Sequence, residues 1–243
     1  MRLSLNKSVR TKILGAFALV SLIAVLFGTG TAPQDANAHY CAKAGEIRFR
    51  AADRIRLAGH RFGRGTTAVI LAHERRGGAC DWIPYARRFA RLGYLTIAFD
   101  FRGYGASQRS TKSRFPADVI AAATLSRSLG AKRVVLVGAS MGGTAVLVAA
   151  ANARPAVDGV VAVSAPSFYG DMNGVTAVRK LGMPVLYLAG DKDDGFADES
   201  RTLYAATGSN AKTLEILNSS SHGVRLASEA SPRSLIERFI ASR

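Results

Sequence analysis

Short apolar runs alternate with longer amphipathic stretches over most of the chain. Continuous apolar runs lie at Thr67–Ala72, Tyr94–Phe99, Arg133–Val137, Val157–Val163 and Pro184–Ala189. Runs of this length with little polar alternation are typical of strands buried on both faces, as in a parallel sheet. Residues Thr213–Leu217 add one more predicted strand near the C-terminus.

Helical stretches separate these runs and set the fold class. We predict helices at Trp82–Leu92, Pro116–Leu129, Gly143–Ala153, Ala197–Ala206 and Pro232–Ile240. This alternation predicts right-handed βαβ units and a mostly parallel sheet of the α/β class, flanked by helices. Glu46–Arg50 alternates with period two, and Arg54–Arg61 can be its hairpin partner, so an antiparallel edge is expected. Ligands bind such sheets outside the carboxyl ends of the strands, which directs attention to residues just after each run.

The first 38 residues follow a different pattern. Met1–Lys12 carries four basic residues and no acid, Ile13–Phe27 carries no charge, and the small residues Ala36–Ala38 follow. This order predicts a secretory signal peptide over residues 1–38, a single domain over 39–243, and export to the periplasm or the extracellular space. The alternative is an uncleaved membrane anchor, for which the uncharged segment is short of the roughly 20 residues that a spanning helix needs.

The chain is strongly basic, with 33 Lys+Arg against 17 Asp+Glu and a net charge of +16. Cleavage after Ala38 would remove four basic residues and Asp35, leaving +13. Such charge raises nucleic acid, anionic membranes and acidic substrates as partners. Basic residues never run longer than two and no recognition motif occurs, so specific nucleic-acid binding is not expected. Electrostatic association with an anionic cell envelope stays open, and the oligomeric state is not indicated.

The chain has two cysteines, Cys41 and Cys80, too few for a disulfide scaffold and without zinc-finger spacing. An exported protein can keep disulfides, so the two cysteines either pair with each other or remain as two thiols. Sequence alone does not show whether their Cα atoms come close enough to pair.

A glycine-rich turn follows the run Arg133–Val137. It reads Gly138-Ala139-Ser140-Met141-Gly142-Gly143 and fits the motif G-x-S-x-G between a strand and a helix, the context that the motif requires. The glycines let neighbouring backbone approach a strained serine without a Cβ clash. The pattern therefore predicts Ser140 as a nucleophile at a helix N-terminus, with the Met141 N–H as an oxyanion donor.

A serine nucleophile needs a base within hydrogen-bond distance. The histidines of the chain are His39, His60, His73 and His222. His222 alone lies C-terminal to Ser140, in the polar loop between the last predicted strand and the last helix. The chain order serine, acid, histidine predicts His222 as the base.

Three aspartates follow the run Pro184–Ala189 and compete for the role of the acid. They are Asp191, Asp193 and Asp194, and chain order alone does not choose among them. The acid has to be held at the rim and turned inward to orient the histidine. Asp191 is better placed for turn hydrogen bonds, so we favour Asp193 and keep Asp191 and Asp194 as alternatives.

From about Glu46 to the C-terminus, the chain resembles the α/β-hydrolase superfamily. The resemblance rests on the GASMGG turn around Ser140, the D-x-R-G-x-G-x-S stretch Asp100–Ser107, the GDKDD segment and the SHG segment around His222. It implies an acid three residues after the glycine that ends its strand, which is Asp193. It also implies a triad that needs no metal or organic cofactor.

The segment after Thr67–Ala72 departs from the usual His-Gly pattern of that superfamily. It reads His73-Glu74-Arg75-Arg76-Gly77, which is similar to the H-E-x-x-G segment of dienelactone-hydrolase-like members. This resemblance implies that the Arg75 N–H is the second oxyanion donor. It is partial, because those members typically carry a cysteine nucleophile. Glu74 is expected either to contact Ser140 in the resting site or to be a surface charge.

Two further expectations come from the family pattern. Arg102 is expected to be structural, bridging loops through Asp100 or backbone carbonyls, with contact to a substrate carboxylate as the weaker alternative. Only about twenty residues separate Ser164 from Pro184, where many relatives insert a lid domain. A minimal cap or none is therefore implied, with an open site that Phe168, Tyr169 and Met172 could line.

Together these features predict an exported serine hydrolase that cleaves carboxylic esters, in a small molecule or a polymer. Thioesterase, amidase and peptidase activities on the same triad remain alternatives, because a fold does not fix the chemistry. A non-catalytic envelope-binding protein on a hydrolase scaffold is the alternative from another functional class.

Overall fold

A computed structural model describes residues 45–243. The predicted signal peptide, the anchor alternative and Cys41 lie outside the described residues. Cys80 is disulfide-bonded. Between residues 45 and 243, no helix is long and apolar enough to cross a membrane.

An eight-stranded sheet forms the centre of the described domain. Its strands are β1 (Glu46–Arg50), β2 (Arg56–Phe62), β3 (Thr67–Ala72), β4 (Leu95–Asp100), β5 (Arg133–Ala139), β6 (Gly159–Val163), β9 (Val185–Gly190) and β10 (Lys212–Leu217). The spatial order is β1-β2-β4-β3-β5-β6-β9-β10, parallel from β4 to β10, with β1 and β2 antiparallel at one edge. The predicted α/β class, parallel core and antiparallel edge are confirmed.

The helices cover both faces of this sheet. They are α1 (Ile83–Arg91), α2 (Phe115–Ser128), α3 (Met141–Asn152), α4 (Gly174–Val178), α5 (Phe196–Ala206), α6 (Gly223–Ser228) and α7 (Ala230–Ala241). A short 3₁₀ helix, Ala79–Trp82, precedes α1. Helices α2 to α5 pack on one face around a core that includes Phe99 and Tyr187. Helices α1, α6 and α7 pack on the other face around Trp82 and Phe89.

The predicted strands and helices agree with the structure to within two residues at their ends. The pattern did not predict three small elements. A hairpin of two-residue strands, β7 (Phe168–Tyr169) and β8 (Met172–Asn173), and the short helix α4 occupy the segment where a lid domain would lie. Helix α6 follows the predicted histidine loop. The cap is thus minimal, as expected.

The strand order places the predicted site at a switch point of the sheet. Strand β3 lies between β4 and β5. The chain adds β4 on one side of β3 and then crosses to add β5 on the other side. Ala72, at the end of β3, is the register partner of Gly138 at the start of the GASMGG turn. Crevices at such points are the usual binding sites of parallel sheets.

Candidate active site

The turn from β5 into α3 holds Ser140 in a strained backbone conformation. Its φ is 48° and its ψ is −118°, a region that residues with a side chain rarely adopt. A Cβ on Gly138 would overlap the carbonyl of Gly142, and a Cβ on Gly142 would overlap the carbonyl oxygens of Ala72 and His73. The two glycines therefore allow the turn to close against the end of β3, with Ser140 partly exposed there.

The two N–H groups predicted as oxyanion donors lie in loops that follow the neighbouring strands β3 and β5. The Met141 N–H is the first of helix α3, where a helix leaves its donors without intrahelical partners. The Arg75 N–H lies in the loop after β3, and Arg75 is exposed. In the part of the chain that the structure describes, neither group donates a hydrogen bond.

A buried histidine fixes the loop that carries Arg75. His73 is fully buried, and its Nδ1 donates to the Glu74 carbonyl oxygen at 2.8 Å. Its Nε2 accepts a hydrogen bond from the Phe101 N–H at 3.1 Å, so the ring is neutral with its proton on Nδ1. Burial lowers the pKa of His73, in keeping with that state. His73 therefore ties the loop after β3 to the loop after β4.

His222 and Asp193 form a hydrogen-bonded pair. His222 Nδ1 lies 3.0 Å and 3.1 Å from the two carboxylate oxygens of Asp193. Asp193 is only 5% exposed, whereas the His222 side chain is 35% exposed. The Phe196 ring packs against the imidazole, with ring centroids 4.4 Å apart. Among residues 45–243, Ser140 Oγ makes no hydrogen bond to His222 in this resting arrangement.

The other two candidate acids are oriented away from the imidazole. Asp191 is exposed, and its Oδ1 accepts a hydrogen bond from the Ser219 N–H at 3.0 Å, which closes the loop as expected of a turn residue. Asp194 is exposed as well, at a φ of 28°. Asp193 alone of the three contacts His222.

Sequence reasoning missed a residue that joins the acid to the histidine loop. Ser164 follows β6, is fully buried, and has a φ of 46°. Its Oγ donates to Asp193 Oδ2 at 2.7 Å and accepts from the Gly223 N–H at 3.2 Å. The rule that directed attention to residues after apolar runs would have found Ser164, because it directly follows a predicted strand.

Comparison with known proteins identifies the fold of this chain. A profile described as alpha/beta hydrolase fold matches residues 67–179. No curated protein matches the sequence. Solved structures that match include an esterase of Pyrococcus furiosus, with 16% identity over 81% of this chain and 89% of that chain, and a TM-score of 0.66. They also include an esterase of Exiguobacterium antarcticum, with 15% identity, coverage of 81% and 98%, and a TM-score of 0.65. An esterase of a Rhodococcus species shows 18% identity, coverage of 82% and 99%, and a TM-score of 0.64.

The chain has the α/β-hydrolase fold. The resemblance read from its motifs is therefore confirmed, and the neighbours with this fold include esterases.

In this α/β-hydrolase fold, Glu74 supports the histidine loop. Its Oε2 accepts a hydrogen bond from the Val224 N–H at 3.0 Å, at the start of α6. A Cβ on Gly223 would overlap that carboxylate oxygen, so the loop packs directly on it. Burial raises the pKa of Glu74, although the Val224 N–H and the nearby His222 act to lower it. The Glu74 carboxylate is therefore a partly buried loop contact and not a surface charge, and in residues 45–243 it makes no hydrogen bond to Ser140.

Arg102 is structural, but its partners differ from those expected. The residue is 3% exposed, and its guanidinium bonds to Asp118 at 2.6 Å and to Asp53 at 2.7 Å. Asp100 instead accepts from the Ala79 and Ala106 N–H groups. A buried guanidinium already bound by two carboxylates is not available to a substrate, which excludes the weaker alternative.

Tyr104 packs beside the Ser140 turn, and the residues predicted to line the pocket differ in exposure. The Tyr104 hydroxyl lies 3.5 Å from the Met141 sulfur, next to Ser140, and Tyr104 also packs edge-on against His73. Phe168 is 59% exposed on the small hairpin, whereas Met172 is only 3% exposed and belongs to the core. The expectation that Met172 lines the pocket is therefore wrong. Across residues 45–243, no cluster of His, Cys, Asp or Glu could hold a metal ion.

Proposed function

We propose that the protein hydrolyses carboxylic esters, with Ser140 as nucleophile, His222 as base and Asp193 as the acid that orients His222. The observation that carries this proposal is the strained turn after β5, in which Ser140 has a φ of 48° at the N-terminus of α3. The hydrogen-bonded pair His222–Asp193 lies in the loops after β10 and β9, on the edge where the turn after β5 also lies.

The reaction follows from the positions of these groups. Ser140 Oγ attacks the carbonyl carbon of the ester while His222 Nε2 removes its proton. Because Nδ1 donates to Asp193, Nε2 is the basic nitrogen, and the imidazolium that forms is stabilised by the carboxylate. The Met141 and Arg75 N–H groups stabilise the negative charge on the carbonyl oxygen. His222 then protonates the leaving alcohol, and a water molecule repeats the sequence to release the acid.

The Ser140 hydroxyl has to reach His222 Nε2 for this reaction. Catalytic hydrogen bonds commonly tighten only once substrate is bound. The minimal cap leaves the site open, which suits short esters or a scissile bond on a larger molecule. Esters are favoured over thioesters and amides because the structural neighbours include three esterases.

Labelling by a fluorophosphonate tests the nucleophile directly. We expect one label per chain, at Ser140, and a loss of labelling in Ser140→Ala. The matched control is Ser128→Ala, an exposed serine at the end of α2, which should label and turn over substrate like the wild type. A folded protein that neither labels nor hydrolyses esters overturns the proposal and favours a binding protein. A Ser140→Ala variant that keeps full esterase activity overturns the assignment of Ser140 as nucleophile.

A substrate panel then distinguishes the related activities. p-Nitrophenyl esters of graded acyl length should be cleaved with a preference for short chains, because the site has no lid domain to enclose a long one. Thioester and anilide analogues of the same acyl groups provide the comparison. Faster turnover of the thioester or the anilide, relative to its uncatalysed rate, would assign the triad to thioesterase or amidase chemistry instead.

A further inference from the structure

A pocket of about 410 Å³ lies on the antiparallel edge of the sheet, outside the candidate active site. It is lined by Arg48, Phe49, Arg50, Arg56, Ala106 and Gln108. Its volume is in the range of roughly 300–1,000 Å³ that is typical of small-molecule sites. Three of its six lining residues are arginines, which we call the arginine pocket.

The arginine side chains share one face of the β1–β2 hairpin. Arg50 and Arg56 are direct cross-strand partners in the antiparallel register, and Arg48 lies two residues from Arg50, on the same face. Like charges placed directly opposite each other destabilise a strand pair. An anion bound between them would remove that repulsion.

No carboxylate of the described chain neutralises this cluster. Within residues 45–243, Arg48, Arg50 and Arg56 form no ion pair. Asp53 binds Arg102, and Asp100 accepts from two backbone N–H groups. Glu46 lies two residues before Arg48 on the exposed face of β1, but in the described chain it forms no ion pair with the three arginines. Three arginines therefore lie together against one carboxylate on this face.

Backbone groups fix several of the side chains in place. Arg48 Nη1 donates to the Ala106 carbonyl oxygen at 2.9 Å, and Arg50 Nη1 donates to the Arg54 carbonyl oxygen at 3.0 Å. Gln108 Oε1 accepts from the Arg56 N–H at 3.1 Å, which leaves the Gln108 amide NH₂ as a donor. Guanidinium groups held in this way lose less side-chain freedom when a ligand binds.

We propose that the arginine pocket binds a phosphate group. A carboxylate is matched by one guanidinium fork, whereas a phosphate monoester carries about two negative charges and enough acceptor oxygens for several forks and an amide. The pocket is larger than a phosphate group alone. It therefore suits a phosphate attached to an organic group, either in a lipid headgroup or in a soluble phosphate compound.

Calorimetric titration with inorganic phosphate at constant ionic strength tests the site, with succinate as the carboxylate comparison. The variant Arg48→Gln/Arg50→Gln/Arg56→Gln should bind phosphate at least about tenfold more weakly, because it loses several charge-assisted hydrogen bonds. The control variant Arg91→Gln/Arg133→Gln/Arg179→Gln removes the same charge from exposed residues with no ion pair in the described chain and should bind like the wild type. Thermal unfolding verifies that each variant is folded.

A second variant separates fork geometry from charge. Arg48→Lys/Arg50→Lys/Arg56→Lys keeps the net charge but cannot form bidentate contacts, so we expect it to lose phosphate binding as well. The proposal is overturned by any of three results: the pocket and control variants weaken phosphate binding equally, the lysine variant binds phosphate like the wild type, or the wild type binds succinate as tightly as phosphate. The absence of any phosphate binding would do the same.

Vesicles identify the source of the phosphate. The pocket is assigned to a lipid headgroup if the wild-type protein sediments with vesicles of phosphatidylcholine and phosphatidic acid and inorganic phosphate releases it from them. Phosphate binding without vesicle binding assigns it to a soluble phosphate compound. The protein could also bind vesicles in a way that inorganic phosphate does not reverse and that the pocket and control variants weaken equally. Such binding is diffuse electrostatic attraction and contradicts the proposal.

Discussion

Replacement of Ser164 by alanine tests whether the acid of the candidate triad is held by a neighbour as well as by its histidine. The Ser164 hydroxyl donates to Asp193 Oδ2 at 2.7 Å and accepts from the Gly223 N–H at 3.2 Å. The substitution removes both hydrogen bonds at once. It leaves an N–H group without a partner in the loop that carries His222, and Ser164 is fully buried, so water does not readily replace the hydroxyl.

The expected magnitudes follow from these two contacts. A hydrogen bond to a charged group contributes about 1.5–3 kcal/mol, and an orphaned buried donor costs about 1–3 kcal/mol. Because the two effects share one side chain and do not add in full, we expect Ser164→Ala to lower the free energy of unfolding by about 2–4 kcal/mol. His222 Nδ1 remains bound to Asp193, so kcat should fall about 10- to 100-fold, less than the roughly 10⁴-fold expected on loss of the acid. KM should hardly change, because Ser164 is buried away from substrate.

A comparison with Ser164→Gly separates the hydrogen bonds from the backbone strain. Glycine also lacks the hydroxyl, but it adopts a φ of 46° without the roughly 1–2 kcal/mol that a residue with a Cβ incurs in this region. We therefore expect Ser164→Gly to be about 1 kcal/mol more stable than Ser164→Ala in urea unfolding and to show the same reduced kcat with a p-nitrophenyl ester. A Ser164→Ala variant with wild-type stability and turnover would refute this account of the site.

Three other substitutions test single contacts. Asp193→Asn should reduce kcat by about 10³- to 10⁴-fold in a protein that stays folded but melts at a lower temperature, because Ser164 and His222 lose a charged partner. Asp191→Asn should retain most activity, and the reverse result in steady-state kinetics would move the acid to Asp191. Burial raises the pKa of Glu74, so the folded protein binds the Glu74 proton more tightly than the unfolded chain and loses stability as the pH rises above the ordinary Glu pKa. The free energy of unfolding measured from pH 4 to 8 should therefore decline less steeply in Glu74→Gln than in the wild type. Identical slopes in the two proteins would contradict this. Asp118→Ala leaves the buried Arg102 with one carboxylate partner fewer and should cost about 3–5 kcal/mol of unfolding free energy, and a loss below 1 kcal/mol would show that this ion pair is dispensable.

The larger elements of the fold could be predicted because burial leaves a pattern in the sequence. Strands β3 and β9 are buried at every position, and they appear in the sequence as unbroken apolar runs. The hairpin β7–β8 and the helices α4 and α6 could not be predicted, because two to six residues do not complete enough of a period to be recognised. Their positions are set by tertiary contacts, such as the bonds from Ser167 to Glu199 that anchor the start of the hairpin on α5.

The candidate site divides in the same way. Ser140 and His222 could be selected from local motifs and chain order, since the turn and the loop that carry them have their own sequence patterns. The partner of Glu74 could not be predicted. It is the backbone N–H of Val224, far from Glu74 in the sequence, and a backbone donor does not depend on the type of residue. The same holds for Arg102, whose expected partner was the neighbouring Asp100. The partners of Arg102 are Asp53, between β1 and β2, and Asp118, on α2. Only the fold brings these two residues together.

The acids of this protein of charge +16 are unevenly distributed between its interior and its surface. Asp118, Asp193 and Asp100 are each less than 10% exposed and accept hydrogen bonds that connect loops or orient His222. Acids used inside the fold do little to offset arginines outside it, so the surface is more basic than the composition alone suggests. Arg50 and Arg56 oppose each other on an edge hairpin, on strands other than those that lead to Ser140, Asp193 and His222. If the proposed phosphate site and the proposed triad are both correct, arginine variants of the hairpin should weaken phosphate binding without lowering kcat, and Asp193→Asn should lower kcat without weakening phosphate binding.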